Sequence, residues 1–149
     1  MDHKVYLGTI SCATMKAEDL IPVFVEELKR IDHDNEYTDV IKEGEQIIQS
    51  GDWDSENTSM YLNEDLCDAL DHFSPPHTYF GAHPGDGADY GFWVCYEDIE
   101  YEFDGLKVSD MSEVPDDYTG EALHMNDYGD VMALYNVTKG KAEKVWTIE

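Results

Sequence analysis

Apolar residues recur every three or four positions through the first half of the chain, which is the spacing of an amphipathic helix. This spacing predicts helices over three segments, 19–31, 37–49 and 59–73. Asp19 and Ser59 are the expected N-caps of the first and third helices, and Gly51 is the expected C-cap of the second. Pro75-Pro76 should stop the third helix.

The second half of the chain alternates apolar and polar residues, and turn-forming residues separate its apolar runs. Together with 5–10, the predicted strands are 78–82, 90–96, 99–103, 121–125, 131–137 and 143–148. Asp104-Gly105, Asp127 to Gly129 and Lys139-Gly140 are the turn signals between strands. Helices followed by strands predict an α+β fold, an antiparallel sheet covered by about three N-terminal helices, with 1–149 as one domain.

The charge balance changes this picture from an ordinary small domain to an unusually acidic one. The chain holds 9 Lys and Arg against 34 Asp and Glu, a formal net charge of −25. From Glu43 to Leu106 there are sixteen acids and no Lys or Arg. Because 42% of the residues are hydrophobic and 12% aromatic, the chain is expected to fold. Such a surface repels nucleic acid and anionic membranes, so we expect a basic protein partner and no direct binding to either.

The average charge density is too low to imitate DNA. A 17.0 kDa protein has roughly 7,700 Å² of surface, or about one net charge per 300 Å². Duplex DNA, taken as a cylinder about 20 Å wide, carries roughly one charge per 100 Å². Only a face that concentrates the acids would close the threefold gap.

The segment 98–104 alternates strictly between acids and apolar residues. As a strand it would place Ile99, Tyr101 and Phe103 inward and a row of acids outward: Asp98, Glu100, Glu102 and Asp104. Residues on one strand face repeat every ~6.6–6.8 Å, which is commensurate with phosphates spaced ~3.4 Å along the DNA axis. The alternative is a solvated edge strand that avoids aggregation.

Further acids fall on the polar faces of the predicted helices and on the loop between them. They are Glu36, Asp39, Glu43 and Glu45 on the second helix, Asp52, Asp54 and Glu56 in the loop, and Glu64, Asp65, Asp68 and Asp71 on the third. Like charges three and four residues apart on a helix are mildly destabilising. Their recurrence without basic partners favours a functional surface. Salt adaptation is the alternative, although Lys outnumbers Arg eight to one here.

A glycine-rich segment, 79–93, lies between aromatic strands. Its loop 81–91 contains three candidate metal ligands, His83, Asp86 and Asp89, with His77 nearby. The alternative is a hairpin loop with turn-forming Asp residues. No nucleophile motif is present, so we expect no enzyme and no cofactor.

The cysteines indicate a reducing compartment. Cys12, Cys67 and Cys95 are odd in number and widely spaced, which argues against a disulfide framework. The N-terminus leads into no long apolar run, so we expect neither a secretion signal nor a membrane span. These features favour a cytoplasmic protein.

Several segments resemble small uncharacterised phage and prophage proteins. They are 79–93, Val114 to Glu121 with His124 to Asp130, and Gly8 to Ser11 followed by Asp19 to Pro22. The resemblance implies a phage or mobile-element setting. In type rather than by motif, the chain also resembles the acidic anti-restriction and anti-CRISPR inhibitors that imitate nucleic acid.

The sequence therefore predicts an inhibitor that occupies the nucleic-acid groove of a host nuclease or CRISPR effector. Tyr61, Tyr101 and Trp53 are possible aromatic anchors, although Tyr101 is the expected core residue of its strand. Two alternatives stay open, a small-molecule or metal-binding phage protein that uses loop 81–91, and a structural or assembly protein.

Overall fold

A computed structural model describes residues 4–126 and 132–148 of the chain. The chain separates into two compact units, Met1–Val94 and Cys95–Glu149, and each is described by itself. The predicted α+β fold is confirmed, with four α-helical segments and two sheets. One domain over 1–149 stays a prediction, because two compact units are compatible with either one domain or two. Within the described residues no helix has the length and apolar character needed to cross a membrane.

Helix α1, Ala17–Ile31, buries an apolar stripe at helical spacing. Leu20, Phe24, Leu28 and Ile31 are all nearly inaccessible to solvent. The predicted N-cap is wrong, because the helix begins two residues earlier and Lys16 is at the N-cap position. Asp19 lies in the first turn instead, where its carboxylate accepts a hydrogen bond from the Thr14 hydroxyl at 2.6 Å.

Helix α2, Thr38–Ser50, ends as the sequence predicts. Gly51 has a left-handed conformation with φ 70°, and its N–H donates to the carbonyl of Ile47. A buried acid, Asp32, organises the approach to the helix. Its two carboxylate oxygens accept 2.9 Å hydrogen bonds from the backbone N–H groups of Glu36 and Tyr37.

The third helix, α3, runs without a break through Glu56–Met60, a π-helical turn at Tyr61–Leu66, and Cys67–His72. Its N-cap is Ser55, whose hydroxyl accepts from the N–H of Thr58 at 3.1 Å, so the expected Ser59 cap is wrong. Ser55 and Ser59 are both residues of a type that caps helices, and in the structure Ser55 is the N-cap. Its apolar residues Leu62, Leu66, Ala69 and Leu70 are buried.

The N-terminal unit also contains a three-stranded antiparallel sheet. Strands β1 (Gly8–Ser11), β2 (Thr78–His83) and β3 (Asp86–Val94) have the order β1-β3-β2. Helix α1 packs on this sheet, because Phe24 lies edge-on to Phe80 of β2 and Tyr90 of β3 at centroid distances of 5.1 and 5.6 Å. This aromatic cluster joins the helices and the sheet into one core.

Glycine at position 91 permits the close approach of β1 to β3. A Cβ at Gly91 would collide with the carbonyl oxygen of Gly8, its neighbour on β1. Gly91 therefore serves the contact between two strands, and none of the glycines of segment 79–93 has a positive φ.

The C-terminal unit contains a four-stranded mixed sheet in the order β4-β5-β6-β7. Its strands are β4 (Leu106–Val108), β5 (Gly120–Met125), β6 (Met132–Thr138) and β7 (Lys141–Ile148), and β4 runs parallel to β5. The predicted turn at Lys139-Gly140 joins β6 and β7, and both residues have positive φ, as a tight hairpin requires. The turn predicted at 127–129 lies outside the described residues.

The predicted antiparallel pairing is therefore correct for most strands, but the predicted number of sheets is wrong. Two sheets are present, and the parallel strand β4 was not expected. Its three residues are too short to give an alternation signal.

The strand predicted over 99–103 is wrong. Asp98–Glu102 forms a π-helical turn in which the N–H of Phe103 donates to the carbonyl of Asp98 at 2.9 Å. Ile99 and Phe103, four residues apart, are buried, whereas Tyr101 between them is 75% exposed. An apolar residue at every second position also satisfies helical spacing at every fourth, and Asp and Glu are depleted in strands. Asp98, Glu100, Glu102 and Asp104 consequently form no strand-spaced row.

Candidate protein-interaction site

Two acid-rich regions carry the residues predicted to bind a partner. The first is the acidic segment, residues 43–72, which runs from the middle of α2 to the end of α3 and contains no Lys or Arg. The second is the acidic turn, Asp98–Glu102 together with Asp104. They belong to different compact units, so each is considered separately.

In these regions, nine predicted acids from Asp52 onward are exposed and have neither an ion pair nor a side-chain hydrogen bond within residues 4–126 and 132–148. They are Asp52, Asp54, Glu56, Glu64, Asp65 and Asp68 in the acidic segment, and Glu100, Glu102 and Asp104 in the acidic turn. Fixed negative charges without counter-charges produce a strong local field. By contrast, Glu45 at the start of the acidic segment is paired with Lys29 at 2.9 Å, and Glu27 on α1 is paired with Arg30.

Tyr61 brings acids of α2 and α3 together. Its buried hydroxyl donates to the carbonyl of Val40 at 2.7 Å, which ties the π-helical turn to α2. Burial raises the pKa of Tyr61 far above its ordinary value, and the carboxylates of Glu43 and Asp65 raise it further. Glu43 belongs to α2 and Asp65 to the π-helical turn of α3, so both helices that Tyr61 joins carry negative charge.

Glu43 also joins the loop acids. It lines a shallow groove together with Asp52, and the other polar lining groups are Gln46, Ser50, Ser55, Asn57 and Thr58. The structure therefore brings Glu43 and Asp52 to one groove. The sequence placed Glu43 on a polar helix face but gave no signal that it lines a groove with a loop acid.

Asp71 has a structural role within its own unit. Its Oδ1 accepts a 2.9 Å hydrogen bond from the backbone N–H of Phe80 and a longer one from the Ser74 hydroxyl. The bond from Phe80 attaches the end of α3 to β2. Asp68, three residues earlier, has no such bond and is exposed.

Trp53 and Tyr101, two of the proposed anchors, are accessible, and the third is not. Trp53 is half-buried beside Asp54, and Tyr101 projects from the acidic turn. Tyr61 is 1% exposed, so it cannot contact a partner. An exposed tyrosine flanked by Glu100 and Glu102 is the arrangement that the strand assignment missed.

The glycine-rich loop is a tight hairpin turn. His83 pairs with Asp86 across Pro84-Gly85, and the His83 Nδ1 accepts from the N–H of Gly85 at 2.9 Å. Asp86 Oδ1 accepts from the N–H of Ala88. Asp89 Oδ1 is buried without a hydrogen-bond partner among the described residues. In that part of the chain no three His, Cys, Asp or Glu residues are grouped so that they could hold a metal ion.

Comparison with protein-family models, with curated proteins and with solved structures finds no match for this chain. Its candidate site is therefore defined by its own geometry and charge.

Proposed function

We propose that the chain inhibits a host-defence nucleic-acid-binding protein by occupying its cationic nucleic-acid groove. The supporting observation is the set of nine exposed acids without counter-charges in the acidic segment and the acidic turn. A groove that binds phosphates presents Lys and Arg, and uncompensated carboxylates attract those side chains. The resemblance to phage proteins makes a restriction enzyme or a CRISPR effector the proposed target, reached in the host cytoplasm.

The two regions contribute differently to this proposal. The acidic segment supplies charge on rigid helices, held by the Tyr61 bond to α2. The acidic turn adds Tyr101, an exposed aromatic residue of the type that anchors interfaces. Rigid presentation lowers the ordering cost of binding.

The alternative ligand or metal site at loop 81–91 is less well supported. His83 and Asp86 already accept hydrogen bonds from backbone N–H groups of the same turn. These bonds are the ones expected of a turn that stabilises itself.

A plating assay tests the proposal in cells. The chain is expressed in bacterial hosts that each carry one restriction or CRISPR system, and each host is then infected with a phage which that system blocks. Plating should recover in the host whose defence protein is the target. Protection in no host of a panel that spans both defence classes would overturn the proposal.

Charge variants connect such protection to the proposed surfaces. The segment variant Glu64→Gln/Asp65→Asn/Asp68→Asn and the turn variant Glu100→Gln/Glu102→Gln/Asp104→Asn each lose three exposed acids. The control variant Asp116→Asn/Asp117→Asn/Glu143→Gln loses three exposed acids elsewhere and has the same net charge. We expect the control variant to protect like the wild type.

A further inference from the structure

A pocket of about 350 Å³ opens within the N-terminal unit, where α1, the loop before α3, α3 itself and β3 meet. Ligand pockets in proteins span roughly 300–1,000 Å³, so its size suits one small group. None of the predicted ligand sites includes it. Of the residues that line it, Trp53 and Asp54 are predicted from the sequence to bind a protein partner.

Three aromatic residues line part of the pocket. Phe24 and Tyr90 meet edge-on at a centroid distance of 5.6 Å, and both rings line the pocket together with Trp53. Trp53 also lines an adjacent hollow, so it forms the partition between two openings. Aromatic faces carry negative electrostatic potential, which attracts cations.

Two polar groups of the pocket are available as acceptors. The Asp54 carboxylate is exposed and has no hydrogen-bond or ion-pair partner within the described ranges. The amide NH₂ of Asn63 donates a hydrogen bond to the carbonyl of Ser59 at 2.9 Å, so its Oδ1 remains available as an acceptor. No Lys, Arg or His is among the described residues that line the pocket, and Lys16 lines the adjacent hollow together with Trp53 and Asp54.

The aromatic ring of Trp53 beside the unpaired carboxylate of Asp54 favours a cationic ligand. A guanidinium group is planar, positively charged and donor-only, with five N–H groups, and it stacks on aromatic rings. An anionic ligand would meet the charge of Asp54 and find no cation in the lining. We propose that this pocket binds a guanidinium group through Trp53 and Asp54.

Two sources could supply this group, an arginine side chain of a partner protein and a free guanidinium compound. The first source rests on the proposed function, because nucleic-acid grooves are rich in arginine. The second is independent of it. A test with small probes needs no partner, so failure of the pocket and failure of the proposed function can be told apart.

The test is a titration followed by two-dimensional NMR of the ¹⁵N-labelled chain. The probes are agmatine and a capped Gly-Gly-Arg-Gly-Gly peptide, and the same peptide with citrulline, which is isosteric but neutral, is the control. Saturable shifts are expected at the Trp53 indole and at Asn63 with the two guanidinium probes only. Tighter binding of the peptide assigns the pocket to a protein arginine, and tighter binding of agmatine assigns it to a free compound.

Variants locate the interaction. Asp54→Asn should weaken binding of the tighter probe by about fivefold, and Trp53→Leu by a similar factor. The matched control is Asp52→Asn, which removes an equal charge from the same loop but lines the other groove. Because Asp54 is exposed, its variant should fold. Equal binding of the citrulline peptide, equal weakening by Asp52→Asn, or no saturable shift at Trp53 would overturn the proposal.

Discussion

The hydroxyl of Tyr61 fills the space that a side chain at Gly44 would need. A Cβ at Gly44 would lie in steric conflict with the Tyr61 hydroxyl oxygen and with a methyl group of Val25. Gly44 is buried in the middle of α2, where glycine is otherwise unfavourable by about 1 kcal/mol relative to alanine. The close contact of α2 with α3 therefore depends on the absence of a side chain at this position.

Gly44→Ala should destabilise the chain, although it raises helix propensity. Overpacking in a core costs about 1–3 kcal/mol, which exceeds the propensity gain at the upper end. Urea unfolding of the variant should show a lower midpoint. The control is Gly87→Ala, because a Cβ at Gly87 meets nothing within 4 Å and should change stability little. A variant at position 44 as stable as the wild type would contradict the packing described here.

Tyr61→Phe should cost about 1 kcal/mol, because Val40 loses the hydroxyl that donates to its carbonyl. In the double variant with Gly44→Ala, removal of the hydroxyl should relieve part of the steric conflict, and the conflict with Val25 should remain. A double-mutant cycle by urea unfolding measures this coupling. Additive losses would show that the two residues do not compete for the same space.

Stability should fall as the pH rises from 9 to 11, in part because of Cys67. Burial raises the pKa of its thiol from 9.0 to about 11, and the charges of Asp68 and Asp71 contribute. Above pH 9 the unfolded chain releases this proton and the folded chain retains it, so the unfolded state binds fewer protons and stability decreases. A shift of this size corresponds to about 2–3 kcal/mol. The unfolding free energy of Cys67→Ala, measured over this range, should decline less steeply than that of the wild type, and parallel curves would contradict the assignment.

Two neighbouring acids of α3 should respond in opposite ways to removal of charge. Asp71→Ala should cost about 1–3 kcal/mol, because the N–H of Phe80 loses its acceptor. Asp68→Ala should be neutral or slightly stabilising, since it removes like-charge repulsion on the same helix. Thermal unfolding of the two variants distinguishes them. Equal effects would mean that the hydrogen bond of Asp71 contributes nothing to the fold.

Tyr101→Ala should leave the fold unchanged and weaken partner binding. Substitution of a residue that is 75% exposed changes stability by at most about 0.5 kcal/mol. Loss of an interface anchor costs about 2 kcal/mol or more, which is roughly thirtyfold in affinity. Thermal unfolding and affinity for the target found in the plating assay are the paired measurements. Unchanged affinity would remove Tyr101 from the interface.

The sequence predicted the long periodic elements well. Helices α1 and α2, the turn after β6 and the Gly51 cap all follow from spacing and from backbone preferences that act locally. The prediction failed at 98–104, where the alternation of acidic and apolar residues fits both a strand and a helix. The choice there was made by burial of Ile99 and Phe103, which a short pattern does not record.

The candidate site was predictable as composition but not as geometry. The excess of acids and the absence of Lys and Arg over 43–106 are visible in the sequence, and most of the acids predicted to bind a partner are exposed in the structure. The roles of individual acids depend on contacts between distant residues. Asp71 accepts a hydrogen bond from the backbone N–H of Phe80, and no local pattern indicates that contact.

In the proposed function, the position of the acids, rather than their number, produces inhibition. The direct measurement is competition with DNA or guide RNA for the purified target, using the segment, turn and control variants at equal net charge. Three exposed ion pairs at up to about 1 kcal/mol each predict a roughly ten- to hundredfold weaker competition by the segment or turn variant, and wild-type competition by the control variant. Equal loss in all three variants would show that only net charge matters, and would contradict a defined groove-binding surface.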